Sequence, residues 1–179
     1  MGVQLHMRAK NLENLPPFVL PKGISLHNYE EADTKGWEDL IEDAFGERYS
    51  FEKVIVNGGD YKPEYVLNLK KDGKILATTT AVEKETFPGE GWFRMVAVSS
   101  DARGLGLGRV IGLAALHSLA ARGYKTAVLS TDDARLPAIK LYYNLGFRPL
   151  FIDESHEERW KKVMEQLGIE NYEFEKEIR

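Results

Sequence analysis

Three glycines in alternate positions, Gly104, Gly106 and Gly108, stand where the hydrophobic period of the chain changes. Upstream, Tyr65, Leu67 and Leu69 alternate with Asn68 and Lys70, the period of two that a half-buried strand requires. Asp72-Gly73 supplies a tight hairpin turn and Ile75 to Val82 the return strand, while Pro88-Gly89 and Gly91 mark a further turn before a strand over Trp92 to Val98. Downstream of Gly106, Leu107, Val110, Ile111 and Ala114 open a largely covered helix that runs to Arg122 and stops at Gly123. A glycine-rich loop after a strand and before a helix confines the chain to a layered arrangement of sheet and helix. It also lets backbone N–H groups approach a ligand closely, and the helix N-terminus adds about half a positive charge. A phosphate or pyrophosphate fits such a loop. Arg103 and Arg109 can add charge and would also suit a carboxylate.

The remaining elements follow from the same periodicities. Residues 18 to 28 read as a turn and an extended segment, and Glu31 to Phe45 as an amphipathic helix with Trp37, Leu40, Ile41, Ala44 and Phe45 on one face. Phe51 to Val56 suits a helix or an extended piece. Thr126 to Ser130 is a short buried strand, Pro137 to Leu145 a helix ended by Gly146, and Phe147 to Ile152 a strand. Ser155, with Glu158 three residues on, has the capping-box pattern of a last helix, and Tyr172 to Ile178 can add a final strand. Antiparallel hairpins followed by strand, helix, strand, helix, strand give an α/β (α+β) fold with a mixed, mostly antiparallel central sheet flanked by helices. The 179 residues suit one domain over 18–179, with residues 1–17 expected as a loosely attached arm before Pro16-Pro17.

Composition removes several classes of activity. Lys plus Arg number 24 against 28 for Asp plus Glu, a net charge of -4, which argues against a general nucleic-acid binder. The chain has 0 cysteines, so thiolate nucleophiles, disulfides and Cys-bearing zinc sites are ruled out. His6, His27, His117 and His156 show no zinc spacing, and no metal is expected. No segment is apolar and long enough for a membrane span, no secretory signal is evident, and a cytoplasmic location is the expectation. A homodimer is compatible with the chain.

Spacing tests the phosphate-loop alternatives. A Walker A loop needs Lys and then Ser or Thr after its last glycine, whereas Gly108 is followed by Arg109 and Val110. The dinucleotide fingerprint G-x-G-x-x-G fails in both frames, with Arg109 or Ile111 where its third glycine belongs. Asp132 and Asp133 stand where a ribose-binding acid could sit, so a nucleotide-dependent oxidoreductase stays open as an alternative.

The string Arg103-Gly-Leu-Gly106-Leu-Gly108 resembles the (Q/R)-x-x-G-x-(G/A) signature of the GNAT superfamily of N-acetyltransferases, and Leu141-Tyr142-Tyr143-Asn144-Leu145-Gly146-Phe147 resembles that family's L-Y-x-x-x-G-F motif. By element order the resemblance covers residues 18 to 155. It implies a GNAT-like three-layer fold, acetyl-CoA as acyl donor, and an amine acceptor, either a small molecule or a peptide N-terminus. The pyrophosphate would lie on the backbone of Gly104, Leu105, Gly106, Leu107, Gly108 and Arg109, beside Arg103. Val96, Ala97 and Val98 would face the pantetheine and thioester where their strand splays from residues 125 to 130. Direct attack of the amine on the thioester needs no enzyme thiol, so the absent cysteine is no obstacle. Tyr142 aligns with the family's proton donor to the departing sulfur. A phenol of pKa about 10 can donate to a thiolate whose acid is near 8.5. Periodicity alone would make Tyr142 a core aromatic, and Tyr143 a residue of secondary packing.

Two positions depart from the family pattern. Arg135 replaces an Asn contact to the pantetheine arm and could reach a phosphate instead. Arg94 replaces a carboxylate base; it cannot accept a proton, and either binds a substrate carboxylate or is a solvated strand charge. These substitutions leave a non-catalytic acyl-CoA sensor as a further alternative. Glu83, Glu85, Glu90, Asp132, Asp133 or a water chain remain as candidate bases. Trp37, Phe45 and Tyr49 lie in the segment that forms the acceptor wall in the family, with Trp37 and Phe45 expected as core residues first.

Overall fold

The computed structural model describes residues 3–58 and 61–178. Its strands are β1 (Leu5–Ala9), β2 (Ser25–Asn28), β3 (Val66–Lys71), β4 (Lys74–Lys84), β5 (Phe87–Val98), β6 (Ala127–Thr131), β7 (Arg148–Phe151) and β8 (Glu175–Lys176). They form an 8-stranded sheet in the order β2-β3-β4-β5-β6-β1-β7-β8. Pairing is antiparallel except between β5 and β6 and between β7 and β8, as a mixed sheet of this class requires. The helices are α1 (Thr34–Phe45), α2 (Leu107–Ala121), α3 (Leu136–Asn144) and α4 (His156–Gln166).

Alternation along β3 divides the core between the two faces of the sheet. Leu67 and Leu69 pack with Ile111, Leu113 and Leu116 of α2, in a cluster that also takes Ile139 and Tyr142 of α3 and Trp160 and Met164 of α4. Val66 turns the other way, to Trp37, Leu40 and Ile41 of α1 and to Phe51 and Ile55. Asp33, at the start of α1, ties that face to the sheet: Lys70 Nζ lies 2.6 Å from its carboxylate, and Asn68 donates to it while accepting from Thr78 at 2.7 Å. The β3–β4 turn holds Asp72 and Gly73 at φ 50° and 79°, the two positive values of a type I′ hairpin.

Four expectations need correction. The segment read as a loose arm contributes β1, which pairs with β6 on one side and β7 on the other, all five residues buried. Arg8 within it is only 8% exposed, because Glu90, Glu175 and Glu177 surround its guanidinium. Pro88, Gly89 and Gly91 lie inside β5, not in a turn, and the chain reverses at Glu85-Thr86. A Cβ at Gly91 would come within 2.6 Å of Leu119 of α2, so close helix-on-strand approach, not reversal, requires that glycine. The Ser155 hydroxyl bonds Asp153 instead of capping α4, and Glu158 pairs with Lys162. The final strand is confined to Glu175–Lys176, while Phe51–Val56 resolves as one turn of π-helix over Glu52–Val56.

Candidate active site

The site begins with a failure of pairing. β5 and β6 are hydrogen-bonding neighbours only at Gly91–Ala127 and Trp92–Val128, although β5 runs on to Val98 and β6 to Thr131. The register of β5 against β4 shifts between Thr78 and Thr80, and Met95 stands at φ 53° within that shift. A bulge with a non-glycine residue at positive φ bends the strand and adds twist, at a cost of about 1–2 kcal/mol. Thr79 Oγ1 holds the bulge by donating to the Arg94 carbonyl at 3.2 Å. The backbone of Val96 to Val98 thereby turns away from β6, and the seam opens into a cleft.

One end of the cleft is the glycine loop. Ser99 N–H still joins Leu76, after which a short turn over Ser100–Ala102 lifts the chain out of the sheet. Asp43 of α1 secures that turn, accepting from Ser100 N–H at 2.6 Å and from its hydroxyl at 2.7 Å, and these bonds hold its carboxyl below the usual range. This anchor carries no local sequence signal, since 57 residues separate the partners. The three glycines then serve two purposes. Gly104 and Gly106 stand at φ 80° and 73°, and a Cβ on either would meet nothing within 4 Å, so each leaves open space over its backbone. Gly108 instead faces α3, where a Cβ would lie 3.0 Å from Leu141. Arg109 N–H and Val110 N–H both turn back to the Gly106 carbonyl at 3.1 and 3.2 Å. The N–H groups of Gly106, Leu107 and Gly108 are then the ones left without a helix-internal acceptor. Arg103 lines the cleft, and Leu105 and Arg109 are exposed beside it.

From this loop a cavity of about 500 Å³ runs between Val96, Ala97 and Val98 on one side and Pro137, Ala138 and Leu141 of α3 on the other. It continues into a second, about 420 Å³, and the two share Phe45, Val96, Arg135 and Tyr142 as walls. Arg135 stacks over Phe45, 4.2 Å from the ring centroid, so Phe45 is a wall of the cleft as well as a partner of the core behind it. Trp37 is wholly buried and does not reach the cleft.

Tyr142 is both core aromatic and cleft wall. It is 7% exposed and packs edge-on against Phe93 at 5.9 Å and against Phe147 at 6.2 Å. Burial pushes its phenol up to about 12, partly opposed by the cation of Arg135. The phenol is thus a weaker acid than at its ordinary value near 10. A phenol this weak keeps its proton at neutral pH and is able to donate a hydrogen bond, whereas full transfer to a thiolate of pKa about 8.5 would run uphill. Tyr143 packs away from the cleft under the Arg148 guanidinium.

The second cavity also meets Gln4, Tyr49, Lys84, Arg94 and Asp132. Among the candidate bases, Glu83 accepts from Gly89 N–H and the Tyr124 hydroxyl, Glu90 from Arg8, and Asp133 from Arg159 at 2.9 Å. Asp132 alone of that set lines the cavity that Tyr142 lines, held by Gln4 Nε2 at 3.1 Å. Arg94 donates to the carbonyls of Val54 and Gly58 and is not a solvated strand charge. Gln4 and Gly58 were not legible as site residues, because only the fold brings them to the cavity. The histidines lie elsewhere: His6 stacks on His156, His117 donates to Pro16, and His27 bonds Ser25. Among the described residues no helix is long and apolar enough to cross a membrane.

Relatives place this geometry. Mycothiol acetyltransferase from Thermomonospora curvata is 29% identical, covering 84% of this chain and 53% of its own; the Nocardioides enzyme of that name is 33% identical over 79% and 55%. The chain therefore spans about half the length of the curated relatives it matches. Among solved structures, a GCN5-related N-acetyltransferase from Sphaerobacter thermophilus superposes with a TM-score of 0.67 at 25% identity, over 82% of this chain and 49% of that one. The Escherichia coli ribosomal-protein-S18-alanine N-acetyltransferase shares the fold, with a TM-score of 0.58 at 24% identity over 69% and 76%. The sequence profile of the acetyltransferase (GNAT) family matches residues 29–147, which take in the bulged strand, the glycine loop and the Tyr142 helix, and the chain belongs to that family.

Proposed function

We propose that the chain transfers an acetyl group from acetyl-CoA to a primary amine within a ternary complex. The observation that carries this reading is the continuity of the cleft: two cavities with shared walls lead from Arg103, at the start of the open-backed glycine loop, past Val96 and Tyr142, to Asp132. The residues suit the donor, because a pyrophosphate needs N–H groups with no side chain over them, and the apolar walls between β5 and α3 match a slender arm. Once bound, acetyl-CoA would supply the acyl group as an activated thioester.

The protein's own contribution is placement and charge. Arg103, Gly104, Leu105, Gly106, Leu107, Gly108 and Arg109 form the phosphate end, with backbone N–H groups of 106 to 108 as donors and the two arginines adding charge. Arg135, fixed on Phe45, faces the arm. The unpaired edge of Val96 to Val98 offers an N–H toward the carbonyl oxygen, where negative charge grows. Tyr142 donates a hydrogen bond toward the sulfur. Asp132 takes the proton of the acceptor ammonium across the cavity.

The test is release of free thiol from acetyl-CoA on adding a panel of amines, with mass spectrometry of the products. The chain has 0 cysteines and contributes no thiol background. Tight CoA binding with no product from any amine would favour the sensor reading.

A further inference from the structure

Beyond Asp132 the acceptor cavity continues into an outer cavity of about 770 Å³, and Gly58, Lys84, Trp92 and Arg94 line both. Lys84 and Arg94 lie on adjacent antiparallel strands, and Arg94 pairs with Thr80, four residues before Lys84 on β4. The Lys84 ammonium sits 4.2 Å from the centroid of the Trp92 ring, which fixes it at the wall. Arg94 is half-buried, and its only hydrogen bonds among the described residues go to the carbonyls of Val54 and Gly58. Those bonds orient the guanidinium toward neutral acceptors.

No carboxylate pairs with either cation among the described residues. Glu83, next in sequence to Lys84, also lines the outer cavity, but its carboxylate accepts from Gly89 N–H and the Tyr124 hydroxyl and forms no ion pair with Lys84. Glu85 is on the rim of the outer cavity and forms no ion pair with Lys84, while Asp132 is held by Gln4. Lys84 is exposed at the cavity mouth and Arg94 is half-buried; partial desolvation and the neighbouring Arg94 lower the Lys84 pKa, and burial lowers that of Arg94. The two like charges repel each other, and an anion arriving beside both relieves that repulsion.

We propose that the end of the acceptor cavity bounded by Lys84 and Arg94 binds an anionic oxygen group, carboxylate or phosphoryl, carried by the amine acceptor. This rests on the acetyl-transfer reading given above. The amine points inward to Asp132 and Tyr142 and the anion outward to the two cations, so the acceptor is zwitterionic. Trp92, between the inner and outer spaces, offers an apolar surface for the carbon skeleton that joins the two groups.

The experiment compares matched acceptors that differ only in the anionic group: lysine beside cadaverine, alanine beside ethylamine, and O-phosphoethanolamine beside ethanolamine. The anionic member of at least one kind of pair should have the higher kcat/KM by about tenfold or more. Whether the carboxylate or the phosphoryl pair shows the larger ratio identifies the source of the anion. Lys84→Gln should compress that ratio toward unity, and Lys84→Arg should keep most of it. Equal use of both members of every pair overturns the anion site and leaves acetyl transfer standing. A second readout needs no turnover: succinate and inorganic phosphate should raise the Tm of the wild-type protein more than that of Lys84→Gln, the glycine loop being intact in both. Equal shifts overturn the proposal, even if no amine in the panel is acetylated. Lys84 is preferred to Arg94 as the probe because Arg94 also holds the turn at Val54 and Gly58, and its replacement would disturb the fold.

Discussion

The two halves of the cleft are built by different rules. At the Gly104 end the walls are mostly apolar, with Arg103 and Arg135 beside an open glycine backbone, and come from one contiguous loop, the strand before it, the end of α1 and the flank of α3. At the Lys84 end they are side chains, Gln4, Tyr49, Lys84, Arg94 and Asp132, drawn from separate parts of the chain. A backbone cradle depends on glycines for its access and is indifferent to most other substitutions. Side chains that meet only in the fold can be exchanged one at a time, each changing what is recognised. The half that would hold a shared donor is thus locally encoded, and the half that would choose an acceptor is not.

The sharpest way to break this contrast is Gly106→Glu. It forces an L residue to φ 73° and sets bulk and negative charge over the open backbone, so affinity for CoA should fall by about 100-fold or more, measured by calorimetry. The fold should persist, since the added Cβ meets no protein atom within 4 Å. Unaltered affinity would remove the loop from the site.

Tyr142→Phe comes next. It should lower kcat by about 10- to 100-fold while CoA affinity stays within about threefold, because a donor important to the departing group contributes little to the ground state. The pH dependence follows from the raised phenol: the group remains a donor until pH approaches about 12, so kcat should show no falling limb from Tyr142 below about pH 10. A limb there that disappears in Tyr142→Phe would contradict the assignment.

Asp132→Asn addresses the other half. Turnover should fall about tenfold near neutral pH, and the deficit should shrink as pH rises and the amine loses its proton to water. A deficit independent of pH would assign Asp132 to packing or binding.

The smallest effect on the chemistry is expected at Gly108→Ala. Its Cβ would press on Leu141 at 3.0 Å, so the cost should appear in stability, about 1–3 kcal/mol by thermal or denaturant unfolding, with CoA affinity changed by less than about tenfold. A large loss of affinity without loss of stability would return Gly108 to the same role as Gly106.

Much of the fold was legible because its signals are local. The Asp72-Gly73 hairpin and the three-four spacing of α1 and α3 each lie within one segment and match the structure; the strand around Leu67 is where expected but buried on both faces, with Val66 in the second core and Asn68 fully buried, instead of half-buried. β1 was missed for a physical reason. Its alternation reads as one buried and one solvated face, and only a cluster of three glutamates, two of them beyond residue 170, makes it possible to bury Arg8. The glycines of β5 misled in the same way, since a glycine that admits Leu119 looks in sequence like one that turns the chain.

The sequence by itself determined that residues 98 to 109 would present an open backbone at the start of a helix, because glycine spacing and the change of period act over a few residues. It also located Tyr142 at its motif position. Only the tertiary structure decided how far β5 and β6 pair, that Phe93 and Phe147 enclose Tyr142 and raise its phenol, and that Asp132 lies in its cavity while Glu83, Glu90 and Asp133 are engaged elsewhere. Burial, desolvation and the meeting of charges depend on what surrounds a residue in space, and residues far apart in the chain supply those surroundings.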